Sequence, residues 1–160
     1  MVIVLQRVSE AAVEVGGQVV GSIGCGLCLL VGVEKGDGGE DARLLARKAA
    51  DLRVFPDAEG RMNLALSAVS GEVLAVSQFT LAASVRKGRR PSFDGAEEPA
   101  RAEELFREFV ANLRELGVRV ETGVFQAIMK VRLVNDGPVT FILNSKKDDR
   151  PEAGSAPIGG

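Results

Sequence analysis

LCLLVGVE, residues 27–34, carries apolar side chains at both parities of position. Successive side chains on a strand point to opposite faces, so such a run belongs between two hydrophobic layers rather than at a half-wet surface. It predicts a central strand, and the rest of the chain must supply both layers. Upstream, VIVLQRV and AAVEV lead into Gly16-Gly17 and then QVVGSI, a pattern that reads as a hairpin around a two-residue turn. Downstream, beyond KGDGGED, Ala42, Leu45, Ala46, Ala49 and Leu52 recur at helical spacing and predict a helix over roughly 39–53.

A second helix starts at Pro99, a favoured first-turn residue. Ala102, Leu105, Phe106, Phe109, Val110, Leu113 and Leu116 form one apolar stripe along it, and Gly117 stops it. Between the helices RVF, MNLAL and EVLAVSQFTL read as strands, separated by turn chemistry at Pro56 to Gly60 and at Ser70-Gly71. VRVET, AIMKVRLV and VTFILN continue the β pattern after the second helix. This order predicts an α+β fold: a compact single domain over residues 1–145, with two helices packed outside a largely antiparallel, barrel-like sheet. Residues 146–160, KKDDRPEAGSAPIGG with its leading Lys146, lack any large apolar period and read as a mobile tail.

At 160 residues the chain can bury a core without staples. A net charge of −2 and a pI near 5.3 argue against broad adhesion to nucleic acid but leave room for a local basic patch. No basic segment precedes an apolar one at the N-terminus, and charged residues or glycine interrupt every apolar run. The expectation is a soluble, cytoplasmic protein without a membrane partner. Histidine is absent, which excludes Ser-His-Asp triads, Cys-His pairs and histidine-ligated metals. The two cysteines, Cys25 and Cys28, have the spacing of a redox pair, but three apart on a strand they point to opposite faces and fit ordinary buried or turn cysteines as well.

Three stretches carry candidate chemistry. In EVLAVSQFTL the pleat puts Leu74, Val76, Gln78 and Thr80 on one face and Val73, Ala75, Ser77 and Phe79 on the other. Polar groups gather at the strand's C-terminal end, where backbone N–H groups run out of ladder partners. That end suits an oxyanion or a ligand carbonyl, and equally an ordinary Ser/Thr cap. In VRKGRRPSF, Arg86, Lys87, Arg89 and Arg90 surround Gly88, either as a phosphate clamp or as a solvated loop. In NDGPVTF, Gly137-Pro138 stands at the mouth of a strand pattern, although proline cannot donate to a ladder. It is a turn into an edge strand, or an X-Pro linkage whose cis form costs little and fixes carbonyl oxygens rigidly at the surface.

Taken together, Ser77-Gln78-Phe79-Thr80-Leu81, Lys87-Gly88 with Arg90-Pro91-Ser92-Phe93, and Asn135 to Thr140 make the chain closely resemble the D-aminoacyl-tRNA deacylases. Gly21, Gly32, Met62-Asn63, Gly123, Phe125 and Met129 add supporting matches. The resemblance implies a homodimer with active sites at the interface, acting on the 3′ CCA end of aminoacyl-tRNA without metal or cofactor. It implies hydrolysis of the D-aminoacyl ester, and also of glycyl-tRNA, including glycine mischarged on tRNA-Ala. Ser77, Gln78, Phe79 and Thr80 are the catalytic residues it implies, with Gly137 and Pro138 reaching in from the partner as a cis Gly-Pro gate against L-aminoacyl groups. Arg7 is implied as the residue that orients the gate, Phe125 as the neighbour of the terminal adenosine and Met129 as the neighbour of the Gly-Pro pocket. Arg86, Lys87, Arg89 and Arg90 are candidate tRNA phosphate contacts. The chain departs from the family pattern at Ala82-Ala83-Ser84, where an aromatic is common, at Gln126, where glycine is common, and in the tail. A non-catalytic tRNA-binding dimer and a redox protein built on Cys25 and Cys28 are the rival readings.

Overall fold

The structure is a computed structural model that describes residues 1–86 and 88–146; Lys87 and residues 147–160 of the expected tail lie outside the described residues. Among the described residues there are eight strands: β1 Val2–Val15, β2 Gln18–Ile23, β3 Gly26–Gly32, β4 Phe55–Pro56, β5 Met62–Leu64, β6 Glu72–Ser77, β7 Val120–Thr122 and β8 Lys130–Asn144. Two α-helices, α1 Gly39–Asp51 and α2 Pro99–Glu115, separate them. The main sheet runs β2-β1-β3-β6-β7, with β8 pairing the free edge of β1, while β4 and β5 form a small separate pair. Contacts between β2 and β7 draw the ends of the sheet together into a nearly closed, barrel-like form.

The central strand lies where its composition puts it. β3 sits between β1 and β6 and sends alternate side chains into two cores. Leu27, Leu29 and Val31 face the helices with Leu45, Leu105, Phe109 and Leu113, all buried. Cys28 faces the barrel interior with Val8, Val13, Ile23, Leu74 and Val76. Gly16 and Gly17 close the β1–β2 hairpin at φ 57° and 83°, the left-handed pair that suits a two-residue hairpin turn.

Antiparallel pairing joins β1 to β2, β3 and β8, whereas β3–β6 and β6–β7 are parallel. Parallel neighbours need a crossover, and each has one: α1 lies on the path from β3 to β6 and α2 on the path from β6 to β7. The helices pack against each other as well as on the sheet. At the start of α1 the Asp41 carboxylate accepts the Gly38 N–H at 2.8 Å, satisfying a donor left over at the helix entrance. Lys146, assigned by the sequence to the tail, sends Nζ to within 3.5 Å of Glu34 Oε2 and 3.6 Å of Asp37 Oδ1.

One element differs from the sequence reading at a place that matters. The strand EVLAVSQFTL stops at Ser77, and Phe79–Ala82 forms a 3-10 turn. Gln78 N–H makes the last ladder bond, to Val31 O at 2.8 Å. Leu81 N–H then bonds back to Gln78 O and Ala83 N–H to Thr80 O, so local turn bonds replace the ladder. The pleat therefore ends at Gln78 and does not extend to Thr80, which lies in the turn.

Candidate active site

β6 delivers its polar end to the rim of a cavity of about 500 Å³, within the range of small-ligand sites. Ser77, Gln78 and Phe79 line one side, Pro99 and Ala102 of α2 another, and Phe125, Ala127 and Met129 a third. The 3-10 turn that carries Phe79 and Thr80 rests on β3 at Gly32. A Cβ at position 32 would stand 2.8 Å from Leu81 Cβ and 3.0 Å from Gln78 O, so only glycine lets the turn approach the strand this closely.

Within the turn, Gln78 Nε2 donates to Thr80 Oγ1 at 2.5 Å. That bond uses the hydroxyl as an acceptor and leaves its proton free to be given elsewhere. It supplies no base to take that proton. Phe79 and Thr80 N–H, at the entrance of the turn, have no hydrogen-bond partner among the described residues. Both residues are exposed.

The basic stretch stands beside this turn. Ser84 and Ser92 pair across the base of the loop, and the Phe93 ring packs on Phe79 with centroids 5.2 Å apart. Arg86, Arg89 and Arg90 at the loop tip are exposed, and none makes an ion pair among the described residues. Lys87 lies outside the described residues.

Gly137-Pro138 occupies a different place. The peptide between them is cis. β8 pairs with β1 through Thr140 opposite Gln6 and through Asn135 opposite Val8, so the intervening residues bulge out against Arg7 alone. The missing proline N–H is thus not needed by any ladder. Arg7 Nε donates to the Asp136 carbonyl at 2.8 Å and lies 3.1 Å from the Asp136 carboxylate, while Nη1 donates to Val54 O at 2.6 Å. The guanidinium ties the bulge to the segment that enters β4. Neither Gly137 nor Pro138 lines the cavity at the end of β6, which β8 reaches only near its start, at Val131.

Several cavity residues carry no motif of their own. Ala96, Glu97 and Gln126 line it, and the turn into α2, with its Glu-Glu-Pro start, is the local signal for the first two. Gln126 has φ 62°, in the left-handed region that glycine enters without steric cost. That backbone explains why glycine suits this position. Gly123 backs the same wall, since a Cβ there would overlap the Met129 sulfur. The cysteines lie away from this chemistry: Cys25 is exposed, Cys28 is buried, and both are free thiols. Burial pushes the Cys28 thiol up to about 11.

Fold and site define an α+β domain with an open pocket at the carboxyl end of a strand in a parallel pair, a usual ligand position in sheets with crossover helices. The chain belongs to the D-Tyr-tRNA(Tyr) deacylase family, whose sequence model matches residues 4–144. It is 59% identical over 143 residues to the D-aminoacyl-tRNA deacylase of Geobacter sulfurreducens, covering 89% of this chain and 94% of that one. The enzyme of the same name from Geotalea uraniireducens is 57% identical over 145 residues, 91% and 94% of the two chains. Among solved structures, a c-Myc DNA unwinding element binding protein superposes with a TM-score of 0.86 at 38% identity, over 92% of this chain and all of that one. A probable eukaryotic D-amino acid tRNA deacylase shares the fold at a TM-score of 0.76 and 17% identity, over 89% and 97%.

Proposed function

We propose that this protein is a D-aminoacyl-tRNA deacylase, a hydrolase that cleaves the ester between a D-amino acid and the 3′ end of tRNA. The observation that carries the reading beyond family membership is the Phe79 N–H at the rim of the cavity and the Thr80 N–H next to it, neither with a partner among the described residues. Donors already fixed by a folded turn stabilise a developing oxyanion without reorganising at the moment of reaction. The ester itself is activated by its α-ammonium group and has a neighbouring ribose 2′-hydroxyl, so positioning accounts for much of what the protein must add. The 2′-hydroxyl orients or activates the attacking water, water adds to the carbonyl, and the bond to the 3′ oxygen breaks with the proton returning to that oxygen. Gln78 steadies Thr80, and neither serves as nucleophile.

Chirality is read by exclusion. Gly137-Pro138 of a partner protomer closes the pocket on the side where an L side chain would lie, and Arg7 holds that bulge at its Asp136 carbonyl. A clash that rejects every L side chain needs no reading of side-chain identity, so D-aminoacyl groups are accepted broadly and glycyl-tRNA enters as well. Phe125 offers a face to the terminal adenosine, Met129 borders the amino-acid pocket, and Arg86, Lys87, Arg89 and Arg90 meet the phosphates. Work on tRNA implies a cytoplasmic location.

The deciding experiment follows free tyrosine from matched D-Tyr-tRNA and L-Tyr-tRNA after chelation of metals, beside a no-enzyme control. Rapid loss of the D ester alone is the expected result. Loss of neither, from folded protein that still binds tRNA, makes it a binding module instead. A Gly137→Ala variant tests the gate, because the added Cβ would overlap the Asn135 amide and stand 3.3 Å from the Val139 nitrogen inside the bulge. Hydrolysis of the L ester should rise at least ~10-fold over wild type, a loss of about 1.4 kcal/mol of discrimination; unchanged chirality would remove the gate from the mechanism.

A further inference from the structure

Phe125 has two sides. One faces the cavity at the end of β6; the other lines a second open cavity of about 600 Å³ between α2 and the segment that follows β7. Phe106, Val110 and Val124 give that cavity an apolar floor, and Arg107 and Arg114 stand on its α2 wall with Glu103. Phe106 and Phe125 pack with ring centroids 6.3 Å apart, so the floor is continuous with the partition between the two cavities.

The charges are placed for an anion that arrives from solvent. Arg107 is 76% exposed on its side chain and pairs with Glu103, Nη2 to Oε1 at 2.6 Å. Such an exposed pair within one helix is worth little and opens readily. Arg114 spends one nitrogen on Val120 O at 3.0 Å, which anchors the side chain and leaves the rest of the fork available. An aromatic and apolar floor beside two arginines is the combination that holds a single-stranded nucleotide: the floor takes the base and a cation takes the phosphate.

We infer that this second cavity holds the nucleotide immediately 5′ of the terminal adenosine of the acceptor strand, with Arg107 and Arg114 on its phosphate. The inference rests on the deacylase reading, because it needs the terminal adenosine at Phe125. It assigns to the α2 face a duty separate from hydrolysis. The site grips the strand next to the reacting end, so its effect falls on KM and not on kcat.

Two substrates separate the roles: D-Tyr-tRNA, which has the penultimate nucleotide, and 3′-O-D-tyrosyl-adenosine, which lacks it. Arg107→Gln should raise KM about fivefold for the tRNA, reduce the slope of log(kcat/KM) against log salt by ~0.7, and leave the adenosine ester unchanged. Arg107→Lys should restore most of the affinity, and Glu103→Gln, which frees Arg107, should lower KM for the tRNA. Equal effects of Arg107→Gln on both substrates, or no effect on either, would overturn the subsite. Wild-type protein inert toward both esters would overturn the deacylase reading itself.

Discussion

Thr80 is the residue whose chemistry is easiest to mistake. An exposed hydroxyl in the turn beside the cavity invites the role of nucleophile, yet its neighbour donates to it and takes nothing from it: Gln78 Nε2 is bonded to Thr80 Oγ1. A nucleophilic hydroxyl needs a base within reach, and an amide nitrogen is none. Thr80→Ala should therefore keep kcat/KM for D-Tyr-tRNA within ~10-fold of wild type. A folded, tRNA-binding but inactive variant would return the hydroxyl to the centre of the mechanism. Cys28 makes a second prediction at this scale. Its folded pKa, raised by burial from 9.0 to about 11, lies above the unfolded value. The unfolded chain releases that proton first, so this contribution to stability is whole below pH 9.0 and is lost as pH rises toward 11. Urea midpoints should fall across that window, and iodoacetamide at pH 8 should label the exposed Cys25 alone.

Elements bring these residues to their places. The 3-10 turn is seated by an absence, the missing Cβ of Gly32, and Gly32→Ala would drive Leu81 and the Gln78 carbonyl away from β3. Activity on D-Tyr-tRNA should fall ~100-fold, as a misplacement of about 1 Å in a catalytic constellation can cost, while α-helical circular dichroism persists. Retained activity would mean that the turn adapts. The sequence makes much of this level legible. β3 reads as central because both its parities are apolar, α1 and α2 show their stripes, and Gly16-Gly17 marks the hairpin. The end of β6 escapes, because VSQFT alternates as well as a strand does. What stops it is the competition between ladder bonds and local turn bonds after Gln78, which no side-chain pattern displays. The cavity's other walls escape for a related reason: Ala96, Glu97 and Gln126 come from segments distant in sequence. The β8 bulge is half legible, since the proline announces a broken ladder, whereas the part of Arg7 comes from the family resemblance and not from any local pattern.

For the whole molecule, β8 carries exposed apolar side chains on both of its faces. Val134, Phe141 and Ile142 are 51%, 38% and 69% exposed, beside the Gly137-Pro138 bulge. Apolar side chains gathered on one strand next to a bulge absent from its own cavity fit a two-fold interface in which each protomer lends its bulge to the other. Light scattering should give twice the chain mass. Ile142→Arg should return it to the single-chain mass and, on the proposed exchange of bulges between protomers, remove activity on D-Tyr-tRNA. A fully active monomer would place the Gly-Pro bulge outside the reaction.

The long pairing of β1 with β8, from Val2 opposite Asn144 to Glu14 opposite Lys130, also sets a timetable. A ribosome releases β1 first and β8 last. The hairpin with β2 and the pairing with β3 form early on one edge of β1, while its other edge waits for nearly the whole remaining chain. Contacts between such distant segments are slow to form, and open strand edges recruit other chains in the meantime. Until the final strand arrives the nascent protein has neither a finished sheet nor the bulge that its partner would need, so quality control by this protein can begin only after its own synthesis has reached β8.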